Sequence, residues 1–372
     1  MSKVERSDRH KEGSGNALKR GWTTGACATA ATKSALHALL TGDFMDPVQI
    51  DLPKGDAPSF ALACEEKTAE SASAGIVKDA GDDPDVTHGA TIIAEVRFGK
   101  AGTAVTFKAG EGVGTVTKSG LPIAVGEAAI NPVPRRLMTD VVTEMCRTHG
   151  RNPDIEITVS VPGGEKIAER TWNPRLGIVG GLSILGTTGV VHPFSCSAWI
   201  HSIHRGIDVA RAEGLTHVLG ATGSTSETAA RAIHDFPEIA MLDMGDFVGG
   251  LLKYLRQHPV PRITLAGGFA KFTKLAQGAM DLHSGRSQVD FRFLAGQIPD
   301  AQLNQNLKQR ILDANTAMQV LEMAEESHTD LPAIIARYAR ENALKILRGA
   351  PVEVEVMVFS RAGELLARTD WK

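Results

Sequence analysis

Apolar residues recur with two different spacings along the first half of the chain. A helical spacing of Ala and Leu predicts a helix over residues 24–40, which ends before Gly42, and a second helix is predicted over 134–149. Alternating apolar and polar residues predict strands over 48–52 and 59–63. The same pattern predicts two hairpins, 91–98 with 103–108 and 155–161 with 165–170. The first half is therefore predicted to be mixed α+β.

The second half has a different rhythm, in which short apolar strands alternate with helices. Strands are predicted over 216–220, 238–242 and 262–266, and helices over 197–213, 226–235, 246–257 and 271–279. Strands that alternate with helices imply crossover connections and a parallel sheet. Two long helices over 300–326 and 331–347 follow, and a strand over 352–359 turns at 361–363 into a final hairpin.

These elements predict a fold of the α/β and α+β classes. A mixed α+β domain is expected over 18–172, and a Rossmann-like βαβ cofactor-binding domain with a parallel or mixed sheet over 173–299. Residues 300–372 are expected to complete the fold with helices and a β-hairpin. Residues 1–17 are nearly all polar and are expected to form a disordered tail without a signal peptide.

Composition and charge exclude several classes of protein. The 372 residues include 40 Lys and Arg against 43 Asp and Glu, a net charge of −3, which argues against a nucleic-acid binder. Residues 176–200 contain almost no charge, but their glycines and Pro193 disfavour a membrane-spanning helix, so we expect buried strand and loop there. We therefore predict a cytoplasmic protein that does not enter the membrane.

Metal and redox motifs are absent from the sequence. Its four cysteines form no C-x-x-C pair, so we expect free, buried thiols rather than a zinc or disulfide site. Acidic residues crowd the loop 79–88, but their spacing is not that of a calcium-binding loop, and no metal site is predicted. Asp85 and His88 of this loop are candidates for an acid or a base if the loop folds over a pocket.

The most informative segment runs from residue 216 to residue 246. A strand that ends at Gly220 is followed by Thr222, Gly223 and Ser224 and then by a helix, while the next strand ends at Asp243. Such a turn lets the backbone approach a nucleotide, and an acid at the tip of the second strand accepts hydrogen bonds from ribose hydroxyls. An ordinary turn between a strand and a helix would have the same pattern.

The glycine pattern of this segment bears on the cofactor. It lacks the third glycine of G-x-G-x-x-G, which favours S-adenosylmethionine over a dinucleotide, because only the dinucleotide needs a pyrophosphate cradle. Several basic residues near turns and helix starts form either a solvated surface or an anion-binding site: Arg135, Arg136, Arg151, Arg170, Arg175, Lys271, Lys274 and Arg286.

Seven segments resemble one known family, the cobalt-precorrin-5B (C1)-methyltransferases of cobalamin biosynthesis, or CbiD type. The segments are residues 20–31, 83–89, 112–121, 129–135, 173–189, 245–249 and 271–276, and the strongest of them is 173–189, which reads NPRLGIVGGLSILGTTG. The resemblance extends from about residue 18 to beyond Ser284.

The resemblance implies a reaction in which S-adenosylmethionine methylates C-1 of cobalt-precorrin-5B to give cobalt-precorrin-6A. Its substrate would be a tetrapyrrole with many carboxylates. The cofactor-binding residues implied by the βαβ unit and the resemblance are Gly220, Thr222, Gly223, Ser224, Asp243, Gly186, Thr187 and Thr188. The substrate-binding residues implied are Thr23, Thr24, Lys118, Arg135, Arg175, Lys271 and Lys274. Asp85 and His88 would be the catalytic residues.

Two alternatives stay open at the level of sequence. One is an NAD(P)-dependent oxidoreductase that uses the same βαβ unit, and the other is a tetrapyrrole-binding protein without catalytic activity. The sequence leaves the oligomeric state undetermined, so a homo-oligomer is one option. It also leaves undetermined whether the macrocycle carries cobalt at this step.

Overall fold

A computed structural model of the chain describes residues 18–299 and 304–371. The predicted tail, residues 1–17, lies outside the described residues. The helices are α1 (Thr24–Thr41), α2 (Pro132–Thr148), α3 (Gly164–Ala168), α4 (Cys196–Ala212), α5 (Ser224–His234), α6 (Val248–Gln257), α7 (Phe269–Ala276), α8 (Phe291–Ala295), α9 (Gln305–Leu312), α10 (Ala317–Glu326) and α11 (Leu331–Leu347). The strands are β1 (Gly21–Trp22), β2 (Val48–Gln49), β3 (Ser59–Phe60), β4 (Cys64–Lys67), β5 (Ser71–Val77), β6 (Thr91–Phe98), β7 (Thr106–Ala109), β8 (Thr115–Val116), β9 (Ile155–Ser160), β10 (Ile178–Val179), β11 (Val190–Val191), β12 (His217–Ala221), β13 (Met241–Asp243), β14 (Arg262–Gly268), β15 (Glu353–Phe359) and β16 (Leu365–Arg368).

The N-terminal sheet has the strand order β4-β5-β6-β9-β7, and α1 packs on its central strands β5 and β6. Its neighbouring strands are antiparallel except β7, which runs parallel to β9. Helix α1 begins where the Thr23 side chain accepts a hydrogen bond from the backbone of Ala26, and it ends at Gly42, whose φ of 109° suits glycine. Its many buried alanines let the helix approach the sheet closely.

The C-terminal sheet has the strand order β13-β12-β14-β15-β16, in which the first four strands are parallel and β16 is antiparallel. Adjacent residues of a strand face opposite sides. Val218 therefore packs with α4, α6, α7 and α11, whereas Leu219 packs with α5 and Phe236. The carboxyl ends of β12, β13 and β14 meet at one edge, as expected for parallel strands. Both sheets are mixed, so the predicted mixed fold with an α+β component is confirmed.

A network of polar side chains crosses this sheet near the first residue of β12, away from the carboxyl ends of the strands. The Glu355 carboxylate is 1% exposed and lies 2.7 Å from His234 Nε2. It also accepts hydrogen bonds from Thr264 Oγ1 at 2.7 Å and from Arg368 Nε at 2.6 Å. His217 Nε2 lies 2.9 Å from Thr264 Oγ1, and burial, with a smaller electrostatic effect of the neighbouring His234, lowers the pKa of His217 to about 4. The network ties α5 to the two strands at the end of the chain.

Both predicted hairpins of the first half are wrong. Residues 103–108 do not pair with β6, because Asp154 accepts hydrogen bonds from the backbone of Gly102 and Ala104 and directs β7 onto β9. Residues 165–168 belong to a helix, α3, instead of a strand, because Gly163 adopts a left-handed φ of 73° and the following Glu, Lys and Ala favour helix. Strands β4 and β5 were not predicted. The residues CEEK of β4 do not alternate in polarity, and the alternation of Ser and Ala at the start of β5 uses residue types that do not favour strands.

The predicted helix over 300–326 is also wrong in part, because the chain forms two helices after residue 304. Thr316 and Gln319 form a capping box that starts α10 a few residues after α9 ends at Leu312. The helices predicted over 24–40, 134–149 and 331–347 are confirmed to within two residues at each end.

The glycine-rich segment 173–200 connects the two sheets. A 3-10 helix spans Pro174–Leu176, and the short strands β10 and β11 with connecting loops form the rest of the segment up to Cys196, where α4 begins. The prediction of strand and loop over 176–200 is therefore right for residues 177–195 and wrong where α4 has begun. The Asn173 side chain donates to Gly181 O at 3.0 Å and accepts from Ser183 Oγ at 3.1 Å. The prediction that the segment is buried is wrong at Val179, Leu185, Phe194 and Trp199, which are exposed. None of the helices in the described residues is long and apolar enough to cross a membrane.

The four cysteines are free thiols, as predicted. Cys27 and Cys146 are buried, Cys196 is half-buried and Cys64 is exposed, so the prediction of burial is wrong for the last two.

Candidate functional site

A cleft of about 420 Å³ lies at the carboxyl ends of β12 and β13, at the edge where the sequence predicts a ligand. It brings together six predicted residues: Arg175, Thr222, Gly223, Ser224, Asp243 and Lys271. Five further residues that line it were not predicted as site residues: Trp199, Glu227, Gly245, Asp246 and Phe247. Gly220 lies within β12 and does not line the cleft.

The turn between β12 and α5 forms the floor of this cleft. The backbone N–H of buried Thr222 donates to Ala266 O of the neighbouring strand, which extends the sheet by one residue. Gly223 then adopts an extended conformation and precedes α5, and Ser226 Oγ donates to Gly223 O at 2.9 Å. The first N–H groups of a helix have no intrahelical acceptor and carry a partial positive charge, so this turn can receive polar atoms of a ligand.

Two basic side chains of the cleft already hold a carboxylate each. Arg175 donates to both oxygens of Glu227, at 2.7 and 2.8 Å. Lys271 Nζ lies 3.1 Å from Asp246 Oδ1 and donates to Thr222 O at 2.8 Å. Pairing of Arg175 with a substrate carboxylate, as predicted, would require its contact with Glu227 to break. That contact orients Glu227, which lies 52 positions after Arg175 in the chain.

Asp243 is the carboxylate of the cleft that lacks such a partner: within the described residues no Lys, Arg or His forms an ion pair with it. Burial raises the pKa of Asp243 above its ordinary value, and the negative charge of Glu227 raises it further. The charges of Arg175 and Lys271 and a hydrogen bond from the Gly245 backbone act in the opposite direction. A half-buried carboxylate in this setting is suited to a ligand that brings hydroxyl donors or positive charge.

An aromatic wall, formed by Trp199 and Phe247, flanks Asp243. Trp199 Nε1 donates to the backbone oxygen of Asp243 at 2.9 Å. The two ring centroids are 6.3 Å apart, with an interplanar angle of 52°. Neither was predicted as a site residue. Trp199 falls in the first turn of α4, where no local motif marks it, and Phe247 lies directly before α6 in the family-like segment 245–249, from which no site residue was singled out.

The remaining predicted cofactor residues, Gly186, Thr187 and Thr188, do not line this cleft. They follow Leu185, whose carbonyl accepts hydrogen bonds from Gly25 N at 3.0 Å and Thr24 Oγ1 at 3.2 Å. A Cβ atom on Gly186 would overlap the side chain of Thr23. Thr23 and Thr24 therefore lie together with residues 185–188 at the N-terminus of α1, and they form a second group of predicted site residues.

The two predicted catalytic residues, Asp85 and His88, differ in how strongly the protein binds their side chains. Asp85 Oδ2 accepts from Lys78 Nζ at 2.7 Å, where Lys78 is only 2% exposed, and Asp85 Oδ1 accepts from the backbone and hydroxyl of Thr87. Burial acts to raise the pKa of Asp85, but Lys78 and Thr87 outweigh it, so the pKa is lowered. His88 is exposed, and its Nδ1 accepts a hydrogen bond from Ala80 N at 3.1 Å. Asp85 is bound within the fold, whereas His88 is accessible.

Three further predicted substrate-binding residues are occupied by contacts within the protein. Lys118 pairs with Glu213 at 3.0 Å. Arg135 pairs with Glu127 at 2.9 Å and donates to two backbone carbonyls. Lys274 is buried and donates to Leu282 O, and burial lowers its pKa. No group of three or more His, Cys, Asp or Glu residues in 18–299 and 304–371 is arranged to hold a metal ion.

Comparisons with known proteins identify the family. The CbiD family model matches residues 11–193, and the model of the CbiD C-terminal domain matches residues 281–370. Proteins of Brucella anthropi and Brucella suis biovar 1, both named cobalt-precorrin-5B C(1)-methyltransferase, are 66% identical to this chain over 351 residues. These matches cover 94% of this chain and 95% of each relative.

A crystal structure of a cobalamin biosynthesis protein (cbiD) from Archaeoglobus fulgidus is 23% identical to this chain and has a TM-score of 0.39. The match covers 84% of this chain and 85% of that chain, but at this TM-score it supports no conclusion about the fold. The family assignment follows from the sequence matches alone, which span nearly the whole chain. The chain belongs to the CbiD family.

Proposed function

We infer that the chain is a cobalt-precorrin-5B C(1)-methyltransferase of cobalamin biosynthesis. The observation that carries this conclusion is the 66% identity, over 94% of the chain, to relatives with that name. The reaction transfers a methyl group from the sulfonium sulfur of S-adenosylmethionine to C-1 of the tetrapyrrole. A carbon–carbon bond forms, the carbon–sulfur bond breaks, and its electron pair stays on sulfur in S-adenosylhomocysteine.

The cleft at the carboxyl ends of β12 and β13 is our candidate for the S-adenosylmethionine site. The parallel strands β13-β12-β14, with α4, α6 and α7 on one face and α5 on the other, support a Rossmann-like cofactor-binding domain over residues 173–299. Strands β15 and β16, from the last part of the chain, extend the sheet of this domain. Residues 18–172 and 300–371 would then be the α+β domain and the elements that complete the fold. In this domain Thr222, Gly223 and Ser224 receive polar atoms of the cofactor, and Asp243 accepts hydrogen bonds from the ribose.

The charge of the cleft supports a cationic cofactor. Its side chains are the carboxylates Glu227, Asp243 and Asp246 and the bases Arg175 and Lys271, which leaves one negative charge in excess. S-adenosylmethionine carries positive charge on its sulfonium and its ammonium group, so this excess favours its binding. The macrocycle would approach over the glycine-rich segment where Leu185 and Thr187 are exposed, and the buried Thr23 and Thr24 would support residues 186–188 from beneath.

Methyl transfer needs alignment more than it needs a base. The sulfonium is already activated, so the protein has to hold carbon, methyl and sulfur in line and to exclude water. If a ring proton is removed, His88 is the better placed of the two predicted catalytic residues, because Asp85 is bound to Lys78 and Thr87. Basic residues that pair with substrate carboxylates would have to leave the intramolecular contacts that they make here.

The test is a transfer assay with the purified chain. S-adenosylmethionine with an isotopically labelled methyl group is incubated with cobalt-precorrin-5B, and the tetrapyrrole is analysed by mass spectrometry. We expect a product with one labelled methyl group on C-1 and an equal amount of S-adenosylhomocysteine. A protein that binds the tetrapyrrole but neither binds the cofactor nor transfers the label would contradict the proposal. A cytoplasmic location and the oligomeric state stay predictions.

A further inference from the structure

We propose that Trp199 forms the adenine-stacking face of the cofactor cleft. The inference rests on the proposed function, since it assigns the base subsite within the same cleft. Trp199 lines the cleft and is 43% exposed, so its ring offers a flat apolar surface to a ligand in the cleft. The indole is a large flat surface, and contacts within the protein fix its position.

Two contacts fix the position of the indole ring. Its Nε1–H donates to the backbone oxygen of Asp243 at 2.9 Å. One edge of the ring also lies against Gly245, where an added Cβ atom would be 3.4 Å from Cζ2 and 3.6 Å from Nε1. Trp199 is therefore held beside the carboxylate proposed to bind the ribose, and a ligand does not have to order it first.

The chemistry of a nucleoside places the base at this wall. Adenine is attached to the sugar carbon next to the one that bears the 2′-hydroxyl. If Asp243 binds the ribose hydroxyls, the base must lie within one sugar ring of that carboxylate. Trp199 and Phe247 are the aromatic residues that line the cleft, and both lie on this side of it. Thr222 and Lys271 lie toward β12 and β14, which leaves that side for the methionine moiety.

The experiment titrates S-adenosylhomocysteine into the full chain and follows both heat and tryptophan fluorescence. Trp199→Phe keeps an aromatic ring but removes the indole, so it should retain most of the affinity and lose the ligand-dependent quenching. Trp199→Ala should weaken binding by about fivefold to about 150-fold, the range for loss of one base-stacking aromatic. Trp371→Phe is the matched control, because Trp371 contacts His217 at the opposite end of β12. It should change neither the affinity for S-adenosylhomocysteine nor the ligand-dependent quenching.

The outcomes separate this inference from the proposed function. Unchanged affinity of Trp199→Ala for S-adenosylhomocysteine, or quenching that persists in Trp199→Phe, overturns the role of Trp199 while the methyltransferase assignment stands. A loss of tetrapyrrole binding in Trp199→Ala with normal cofactor binding would place the pigment at this ring and also overturn it. If the unmodified protein does not bind S-adenosylhomocysteine, both the cofactor site and the stacking face fall together.

Discussion

Replacing Asp243 with Asn should weaken cofactor binding while it stabilises the fold. The substitution keeps the shape of the side chain and removes the charge that no basic residue of the described cleft neutralises. A hydrogen bond to a charged group is worth about 1.5–3 kcal/mol. Loss of one such bond to the ribose corresponds to a dissociation constant for S-adenosylhomocysteine that is higher by about 10- to 150-fold.

The sign of the effect on stability follows from the pKa of Asp243. Burial and the charge of Glu227 raise this pKa in the folded protein above its unfolded value. The folded state then binds a proton more readily than the unfolded state, so the contribution of this group to stability is lost as the pH rises through the folded pKa. Asp243→Asn cannot ionise. Its free energy of unfolding should therefore exceed that of the unmodified protein at neutral pH, and the difference should shrink as the pH falls.

Calorimetric titration and urea denaturation over a range of pH measure both effects. Asp140→Asn, a change at an exposed carboxylate of α2, is the matched control and should alter neither quantity. Binding by the unmodified protein should weaken as the pH falls through the pKa of Asp243, and binding by Asp243→Asn should lack that step. If the variant binds S-adenosylhomocysteine as tightly as the unmodified protein, Asp243 does not bind the ribose. If the variant is less stable at neutral pH, the account of its electrostatics is wrong.

Three further substitutions test the contacts around the site. Arg175→Ala should destabilise the fold by about 1–3 kcal/mol, because Glu227 loses both hydrogen bonds. Arg175→Lys should restore little of this stability, since an ammonium cannot make the two parallel bonds. Urea denaturation measures both variants, and full rescue by Lys would contradict the bidentate geometry. Glu355→Ala should lower the free energy of unfolding by about 3 kcal/mol, because His234 and Thr264 lose the carboxylate that they contact. An unchanged melting temperature would show that this network does not stabilise the fold. Gly186→Ala should lower the free energy of unfolding by about 1–3 kcal/mol, because the φ of 135° at this position is strained for alanine and the new methyl group overlaps Thr23. Unchanged stability in thermal unfolding would refute this.

Local pattern was sufficient to locate the turn that lines the cleft, but not the other residues that line it. Thr222, Gly223 and Asp243 sit at positions set by the alternation of strand and helix, so their convergence at one edge of a parallel sheet could be predicted. The partner of Arg175 could not be predicted. Glu227 lies in the first turn of α5 and meets Arg175 only after the chain has crossed the sheet.

Where the fold differs from the prediction, a long-range contact outweighed the local pattern. The two hairpins of the first half looked regular in sequence, yet Asp154 redirects β7 by binding the backbone some fifty residues earlier. Trp199 illustrates the same limit for the site. Its sequence context is an ordinary helix start, and its significance comes from the backbone oxygen of Asp243, 44 positions further along the chain.

If the macrocycle approaches over the glycine-rich segment, as proposed above, the internal hydrogen bonds of that segment affect how tightly it binds. Asn173 joins Gly181 and Ser183 to the start of the segment, so its conformation is set when the protein folds. A rigid pigment that meets a preorganised surface loses little conformational entropy on association. Disruption of Asn173 should consequently appear first as slower and weaker capture of the macrocycle, even where the adenosyl pocket is left intact.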